Sequence, residues 1–240
     1  MLIEERLGLG ERPRHLNQRM IFTPDRSALY VSVPKTGCTT IKMVVGASVG
    51  LLAPAVLDRK TRGGIHGRWR NREIGWSDLV NAKREALLTG PGTYRFTSVR
   101  NPFERVVSCY LNKIIGKGGK YYLSKQLKEE GDISMLSFLK FVRKQPPLER
   151  DVRGRAMTDL CFTGRVEYDD IVRYETFEPD LRRVMAVLKV PHFGIPSPSD
   201  ESKTDAGKQV QTLLGEEERD LVREIYKLDF QAFGYSEDLP

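Results

Sequence analysis

The sequence predicts an α/β fold in which a central parallel β-sheet is flanked by helices, giving three layers. Two observations support this prediction. Short apolar segments rich in β-branched and aromatic residues alternate with segments of helical periodicity, and two of the strand segments pass through a short loop into a helix. Parallel strands require crossover connections, which the intervening helices supply. Function is therefore expected in the loops at the carboxyl ends of the strands.

The boundaries of the elements follow from proline, glycine and capping residues. In chain order, the sequence predicts a strand at residues 28–33 that stops at Pro34, a helix at residues 39–48, a helix opened by Ser77 and closed by Gly90, a strand at residues 94–99, a helix at residues 103–113, a helix starting at Asp132, a strand at residues 170–174, a helix with Pro179 in its first turn, and a last helix at residues 216–227. We expect a polar arm over residues 1–27 and a single domain over residues 28–240.

The charge balance restricts the partners of the protein. Lys and Arg number 39 against 32 Asp and Glu, which gives a net charge of +7 and favours anionic partners. Nucleic acid, an acidic membrane, an acidic glycan and a small polyphosphate all fit on charge alone. No nucleic-acid-binding motif is recognisable in the sequence, so nucleic acid is not the expected partner.

The sequence also indicates the cellular compartment of the protein and the roles of its cysteines. The sequence has no apolar run of about 18 residues that could span a membrane, and acidic residues interrupt its first 12 positions, where a signal peptide would be apolar. We therefore expect a cytoplasmic protein. The cysteines lack metal-site spacing, and none has the arginine six residues later that a cysteine-dependent phosphatase needs, so packing is the preferred role for Cys38, Cys109 and Cys161.

The loop after the first strand has the composition of a phosphate-binding loop. Its sequence is Pro34-Lys35-Thr36-Gly37-Cys38-Thr39-Thr40. Gly37 allows close backbone approach, Lys35 supplies a cation, and the threonines supply three hydroxyls at the start of a helix. It differs from the nucleoside-triphosphate pattern GxxxxGK[ST], because its lysine precedes the glycine.

A second candidate anion site follows the strand at residues 94–99. Arg100 lies at the end of this strand, and Ser108 lies two turns into the next helix, so both side chains can flank one phosphate group. An ion pair at the start of the helix and a packed serine are the alternative interpretation of these two residues.

Together, the Pro-Lys-x-Gly-Cys-Thr loop and the segment Arg100-Asn101-Pro102-Phe103-Glu104-Arg105-Val106-Val107-Ser108 resemble sulfotransferases that use 3′-phosphoadenosine 5′-phosphosulfate (PAPS), in particular the carbohydrate sulfotransferases. The resemblance covers about residues 28–235. It implies a P-loop-like fold, binding of the 5′-phosphosulfate by the loop that contains Lys35, and binding of the 3′-phosphate by Arg100 and Ser108. Lys35 is expected to neutralise the leaving oxygen during transfer, without a metal ion.

An acceptor hydroxyl needs a general base, and His66 is the hypothesis for it because it lies in a glycine-containing segment between the two motifs. The alternative is an ordinary loop histidine. Glu73 and Glu175 are the reserve candidates, whereas His15 and His192 are expected to have no catalytic role.

The segment around His66 also suggests the acceptor. Its basic residues favour an acidic glycan, and two tryptophans could stack on sugar rings or simply be buried. These residues are Arg59, Lys60, Arg62, Arg68, Arg70 and Arg72, with Trp69 and Trp76. A P-loop kinase-like phosphotransferase and a non-catalytic nucleotide-binding module remain as alternative functions.

Overall fold

The computed structural model describes residues 16–52, 64–67, 69, 75–116, 122–129, 132–190 and 205–240. The chain forms two compact units. The first, which we call the sheet unit, comprises Met1–Val99 and Leu160–Glu201, and the second, the helical unit, comprises Arg100–Asp159 and Ser202–Pro240. That residues 28–240 form one domain stays a prediction.

The regular elements of the described residues are, in chain order, β1 (Met20–Phe22), β2 (Ala28–Val31), α1 (Cys38–Ser48), a 3₁₀ turn (Trp76–Asp78), α2 (Asn81–Thr89), β3 (Tyr94–Val99), α3 (Pro102–Cys109), a π-helical turn (Tyr110–Ile115), α4 (Tyr122–Glu129), α5 (Met135–Lys144), a 3₁₀ turn (Pro147–Glu149), α6 (Met157–Leu160), β4 (Asp170–Arg173), α7 (Phe177–Val187), α8 (Ala206–Leu213), α9 (Glu216–Ile225) and α10 (Lys227–Phe233).

A four-stranded sheet with the order β1-β2-β3-β4 organises the sheet unit. The strands β2, β3 and β4 are parallel, as predicted, whereas β1 pairs antiparallel with β2. The edge strand β1 corrects the prediction of an arm over residues 1–27, because Met20–Phe22 belongs to the sheet. Three residues are too few to show the alternation by which a strand is recognised in a sequence.

Helices cover both faces of this sheet, so the predicted layering of the sheet unit is confirmed. Alternate strand residues point to opposite faces. One face packs against α1 and α7 and includes Ile21, Tyr30, Phe96 and Val172. The other face packs against α2 and the 3₁₀ turn before it, and includes Met20, Phe22, Leu29 and Val31.

The predicted helix between Ser77 and Gly90 is interrupted. Leu79 and Val80 have extended backbone, with ψ angles of 140° and 154°. The buried Arg84 side chain explains the break, since its guanidinium donates to the carbonyl oxygens of Trp76 at 3.0 Å and Ser77 at 2.9 Å. In a continuous helix these carbonyl oxygens would instead accept from N–H groups four residues later.

The helical unit has an apolar core of its own, formed by α3, α4, α5, α8, α9 and α10. The predicted helix at Asp132 begins later, at Met135, because the Ser134 side chain accepts a hydrogen bond from the Ser137 N–H and so caps it. The predicted last helix ends at Ile225, and α10 follows it. None of the described helices is long and apolar enough to cross a membrane.

A buried carboxylate ties α10 to the residues that begin α6. Asp229 is fully buried and accepts hydrogen bonds from the N–H groups of Met157 and Thr158, both at 2.8 Å, and from the Thr158 hydroxyl at 3.0 Å. Burial raises the pKa of this carboxyl, while the nearby Arg105 and these hydrogen bonds oppose the rise.

Candidate active site

The segment that leads from the end of β2 into the first turn of α1, which we call the anion loop (residues 32–40), contains two residues in the left-handed region. Lys35 has a φ of 73° and Gly37 a φ of 83°. A Cβ atom on Gly37 would lie 2.9 Å from Cζ of Phe177 and closer still to its Cε2. Both the backbone conformation and the Phe177 ring therefore require glycine at position 37.

Beneath the anion loop lies a chain of fully buried hydroxyl groups. Thr36 Oγ1 donates to the Val33 carbonyl oxygen at 2.9 Å, so it must accept from Ser98 Oγ, 2.6 Å away. Ser98 in turn accepts from the Tyr30 hydroxyl at 2.8 Å. The Thr36 hydroxyl is thus directed into the protein, which corrects the expectation that three threonine hydroxyls face an anion.

The N-terminus of α1 presents the remaining groups of the loop. Pro34, Cys38 and Thr39 are half-buried, whereas Thr40 is buried. Gly37 is the N-cap, so no side chain caps the first turn, and the turn contains no acidic residue. Its backbone N–H groups and the positive end of the helix dipole are suited to an anion.

His66 lies beside this helix, and each of its ring nitrogens contacts a side chain of α1. Nε2 is 3.2 Å from Thr39 Oγ1, and Nδ1 is 3.2 Å from Lys42 Nζ. Lys42 is only 4% exposed, and its Nζ also donates to the Gln18 carbonyl oxygen at 2.9 Å. Lys42 was not singled out in the sequence, although its position three residues after Thr39 places the two on the same side of a helix.

Both tryptophans of the chain are structural. Trp69 is 3% exposed and its Nε1 donates to the Lys42 carbonyl oxygen at 3.0 Å, and Trp76 is fully buried. The idea that they stack on sugar rings is therefore wrong. The preferred packing role of two cysteines is confirmed, since Cys109 and Cys161 are both buried.

The second motif lies in the helical unit. Arg100 is buried, and its Nε and Nη2 both donate to Glu104 Oε2, at 3.1 and 2.8 Å. Asn101 caps α3 by accepting from the Phe103 and Glu104 N–H groups, with Pro102 in the first turn. Ser108 is 3% exposed. The ion pair considered from the sequence is present, and its partner Glu104, four residues after Arg100, was the residue that sequence reasoning missed.

Several candidates lie outside the described residues: His15, Glu73, His192 and the basic residues Arg59, Lys60, Arg62, Arg68, Arg70 and Arg72. Glu175 is exposed between β4 and α7. Within the described ranges, no group of three or more His, Cys, Asp or Glu side chains could hold a metal ion.

Comparison with known proteins identifies the family. The model of the Sulfotransferase family matches residues 18–236. The chain belongs to the sulfotransferase family. The resemblance found in the two motifs is thereby confirmed, as is the α/β fold class of the chain.

Individual relatives of this chain are carbohydrate sulfotransferases. Human carbohydrate sulfotransferases 9 and 8 are each 26% identical to it, over 92% and 93% of this chain. Carbohydrate sulfotransferase 11 of Rattus norvegicus is 24% identical over 91% of this chain. The chain spans 54% and 57% of the length of the two human relatives. No solved structure matches it significantly.

Proposed function

We propose that this sulfotransferase moves a sulfuryl group from PAPS to a carbohydrate hydroxyl. The anion loop carries the proposal, because it combines a cation at Lys35, a backbone conformation at position 37 that requires glycine, and the uncapped start of α1 in a member of the sulfotransferase family. The names of the relatives supply the acceptor class.

In this proposal the anion loop holds the 5′-phosphosulfate. Backbone N–H groups of Gly37, Cys38, Thr39 and Thr40 bind the phosphate oxygens. Lys35 neutralises the charge that builds on the phosphate oxygen as its bond to sulfur breaks and the bond from sulfur to the acceptor oxygen forms, while the acceptor hydroxyl gives up its proton to a general base. Pro34 and Thr36 act through the shape of the loop, since the Thr36 hydroxyl is buried.

Arg100 and Ser108 are proposed to bind the 3′-phosphate. A guanidinium is a planar, permanently charged donor suited to phosphate oxygens. Glu104 contacts one edge of it, through Nε and Nη2, and so holds the orientation of the Arg100 side chain.

The proposed reaction needs no metal ion, since charge on the sulfuryl and phosphate groups is met by fixed cations. Transfer should accordingly survive EDTA. Loss of activity on chelation that Mg²⁺ restores would instead favour the kinase-like alternative.

We further propose that the acceptor is an acidic glycan, because the chain carries a net charge of +7. With such an acceptor the KM should rise with ionic strength, whereas a neutral sugar would give a KM insensitive to moderate salt. The cytoplasmic location stays a prediction.

Binding of adenosine 3′,5′-bisphosphate tests the donor site. Calorimetry should show that it binds more tightly than AMP, and that Arg100→Ala removes most of the difference, since hydrogen bonds to charged groups contribute about 1.5–3 kcal/mol each, or tenfold and more in Kd. Arg182→Ala is the matched control. Arg182 forms a 2.6 Å ion pair with Glu178, four residues before it, on an exposed face of α7. Equal affinity for AMP and the bisphosphate in the wild-type protein would refute the proposed 3′-phosphate site.

A further inference from the structure

We propose that His66 is a hydrogen-bond donor that orients the Thr39 hydroxyl in the anion loop, and that Lys42 holds His66 in this role. The inference rests on the proposed function, because it gives these residues a task in binding the phosphosulfate. It assigns His66 a role different from that of the general base.

Lys42 determines which ring nitrogen of His66 donates a hydrogen bond and which accepts one. A protonated lysine has three donors and no acceptor. Its Nζ donates to the Gln18 carbonyl oxygen at 2.9 Å and lies 3.2 Å from His66 Nδ1, so Nδ1 must be the acceptor of that contact. A neutral imidazole with an accepting Nδ1 carries its proton on Nε2.

The proton on Nε2 then determines what Thr39 does. Nε2 is 3.2 Å from Thr39 Oγ1 and can only donate to it. Since the Thr39 oxygen accepts this hydrogen bond, the hydrogen of the hydroxyl is directed elsewhere. Thr39 is the second residue of α1 and is half-buried, so its hydroxyl can donate to an anion held at the start of that helix.

The same arrangement disfavours His66 as a general base. A base must offer a lone pair to the acceptor hydroxyl. The lone pair of this tautomer is on Nδ1 and faces the Lys42 ammonium group. Nε2, the nitrogen on the side of the anion loop, already carries a proton.

Three separate segments converge to hold this arrangement. Gln18 precedes β1, Lys42 belongs to α1, and Trp69 donates to the Lys42 carbonyl oxygen from the segment that contains His66. Lys42 is 4% exposed and Trp69 3% exposed, so the connection is within the core of the sheet unit. A positioning role needs this kind of fixed support.

Glutamine at position 66 separates the two roles. Its amide can accept from Lys42 and donate to Thr39, but it cannot act as a base at neutral pH. We expect His66→Ala to weaken binding of adenosine 3′,5′-bisphosphate by about tenfold, because the Thr39 hydroxyl is then no longer oriented and its hydrogen bond to the charged phosphate is lost. His66→Gln should recover most of this affinity and most of the turnover. A general base would give the opposite pattern, in which both variants bind the bisphosphate normally and lose about a hundredfold in turnover.

A double-mutant cycle tests whether His66 acts through Thr39. Thr39→Val should also weaken bisphosphate binding by about tenfold, and adding His66→Ala to it should weaken binding little further, because interacting residues are not additive. Additive losses would overturn the proposed relay. The cycle uses the half-buried Thr39 rather than the buried Lys42, whose replacement could prevent folding. Melting temperatures of all variants verify that they are folded.

The results also separate this inference from the proposed function. A wild-type protein that does not bind the bisphosphate would refute the donor site itself. A wild-type protein that binds it, with an unchanged affinity in His66→Ala, would refute only the positioning role of His66.

Discussion

At the scale of single residues, Lys35 is the position where backbone conformation and charge meet. Its φ of 73° lies in a region that costs a non-glycine residue about 1–2 kcal/mol. Glycine would avoid this cost. The cationic side chain of Lys35 is therefore present at the expense of stability. Such strain at a candidate site is consistent with a functional requirement.

We therefore expect Lys35→Ala to lower turnover by about a hundredfold or more while changing bisphosphate affinity by less than about tenfold, because the proposed contact with the leaving oxygen strengthens as charge develops there. Lys35→Gly should lose the same activity but unfold at a higher temperature than Lys35→Ala, since glycine relieves the backbone strain. Lys83→Ala, on the exposed face of α2, is the control. Equal losses in turnover and affinity would indicate a binding role alone.

A comparison of two glycines separates backbone strain from steric overlap. Gly37 and Gly50 flank α1 and have φ angles of 83° and 69°, but only Gly37 faces the Phe177 ring, whereas no described atom lies within 4 Å of a Cβ on Gly50. Gly50→Ala should cost about 1–2 kcal/mol of unfolding free energy through the backbone alone. Gly37→Ala should cost more and also weaken bisphosphate binding. Urea denaturation and calorimetry would measure both, and equal costs at the two positions would show that the Phe177 ring moves aside.

At the scale of elements, the hydroxyl chain from Tyr30 through Ser98 to Thr36 connects β2, β3 and the anion loop. Each of the three residues is fully buried, so each hydroxyl must be satisfied inside the protein. These hydrogen-bonded hydroxyl groups thereby couple the position of the anion loop to the register of β2 and β3.

Thr36→Val keeps the shape of the side chain but removes the donor to Val33 and the acceptor for Ser98. We expect a loss of about 1–3 kcal/mol in the free energy of unfolding, because buried polar partners are left unsatisfied. Donor affinity should fall as well, since the loop loses its support. Thr36→Ser retains the hydroxyl and should lose much less of both. If the valine variant binds the bisphosphate as the wild type does, the buried hydroxyl groups support the fold without positioning the anion loop.

At the scale of the whole molecule, the buried Tyr30 and Tyr226 and the half-buried Tyr168 contribute to how stability responds to alkaline pH. Burial is the largest cause that raises the pKa of Tyr30, Tyr168 and Tyr226 above the usual 10.0. The Tyr168 hydroxyl donates to the Cys161 carbonyl oxygen at 2.5 Å, and the Tyr226 hydroxyl donates to that of Gly154 at 2.9 Å. The two residues belong to different units, so each reports on one of them.

The unfolded chain releases the tyrosine protons at a lower pH than the folded protein does. In the unfolded chain these tyrosines ionise near pH 10.0, whereas in the folded protein they stay protonated above that pH. Their contribution to stability is complete below pH 10.0 and is lost as the pH rises above it, by about 1.4 kcal/mol per pH unit for each tyrosine. Thermal unfolding above pH 10 should show this decline, and Tyr168→Phe and Tyr226→Phe should each make it shallower. A decline unchanged in both variants would assign it to other groups.

The sequence by itself determined the strand-loop-helix units, the two motifs and the family. These features depend on local signals, namely apolar periodicity, the stops at Pro34 and Gly90, and the order of residues within each motif. The three parallel strands, α1 and the resemblance to sulfotransferases were predicted from such signals and are confirmed.

Only the tertiary structure decided how side chains distant in the chain meet. Thr36 turns inward because its hydroxyl donates to the Val33 carbonyl oxygen and accepts a hydrogen bond from Ser98, 62 residues away. Phe177 closes the space over Gly37, and Lys42 directs His66 toward Thr39. The physical reason is that hydrogen-bond direction and steric exclusion depend on atoms brought together by packing, which no local periodicity or residue spacing encodes.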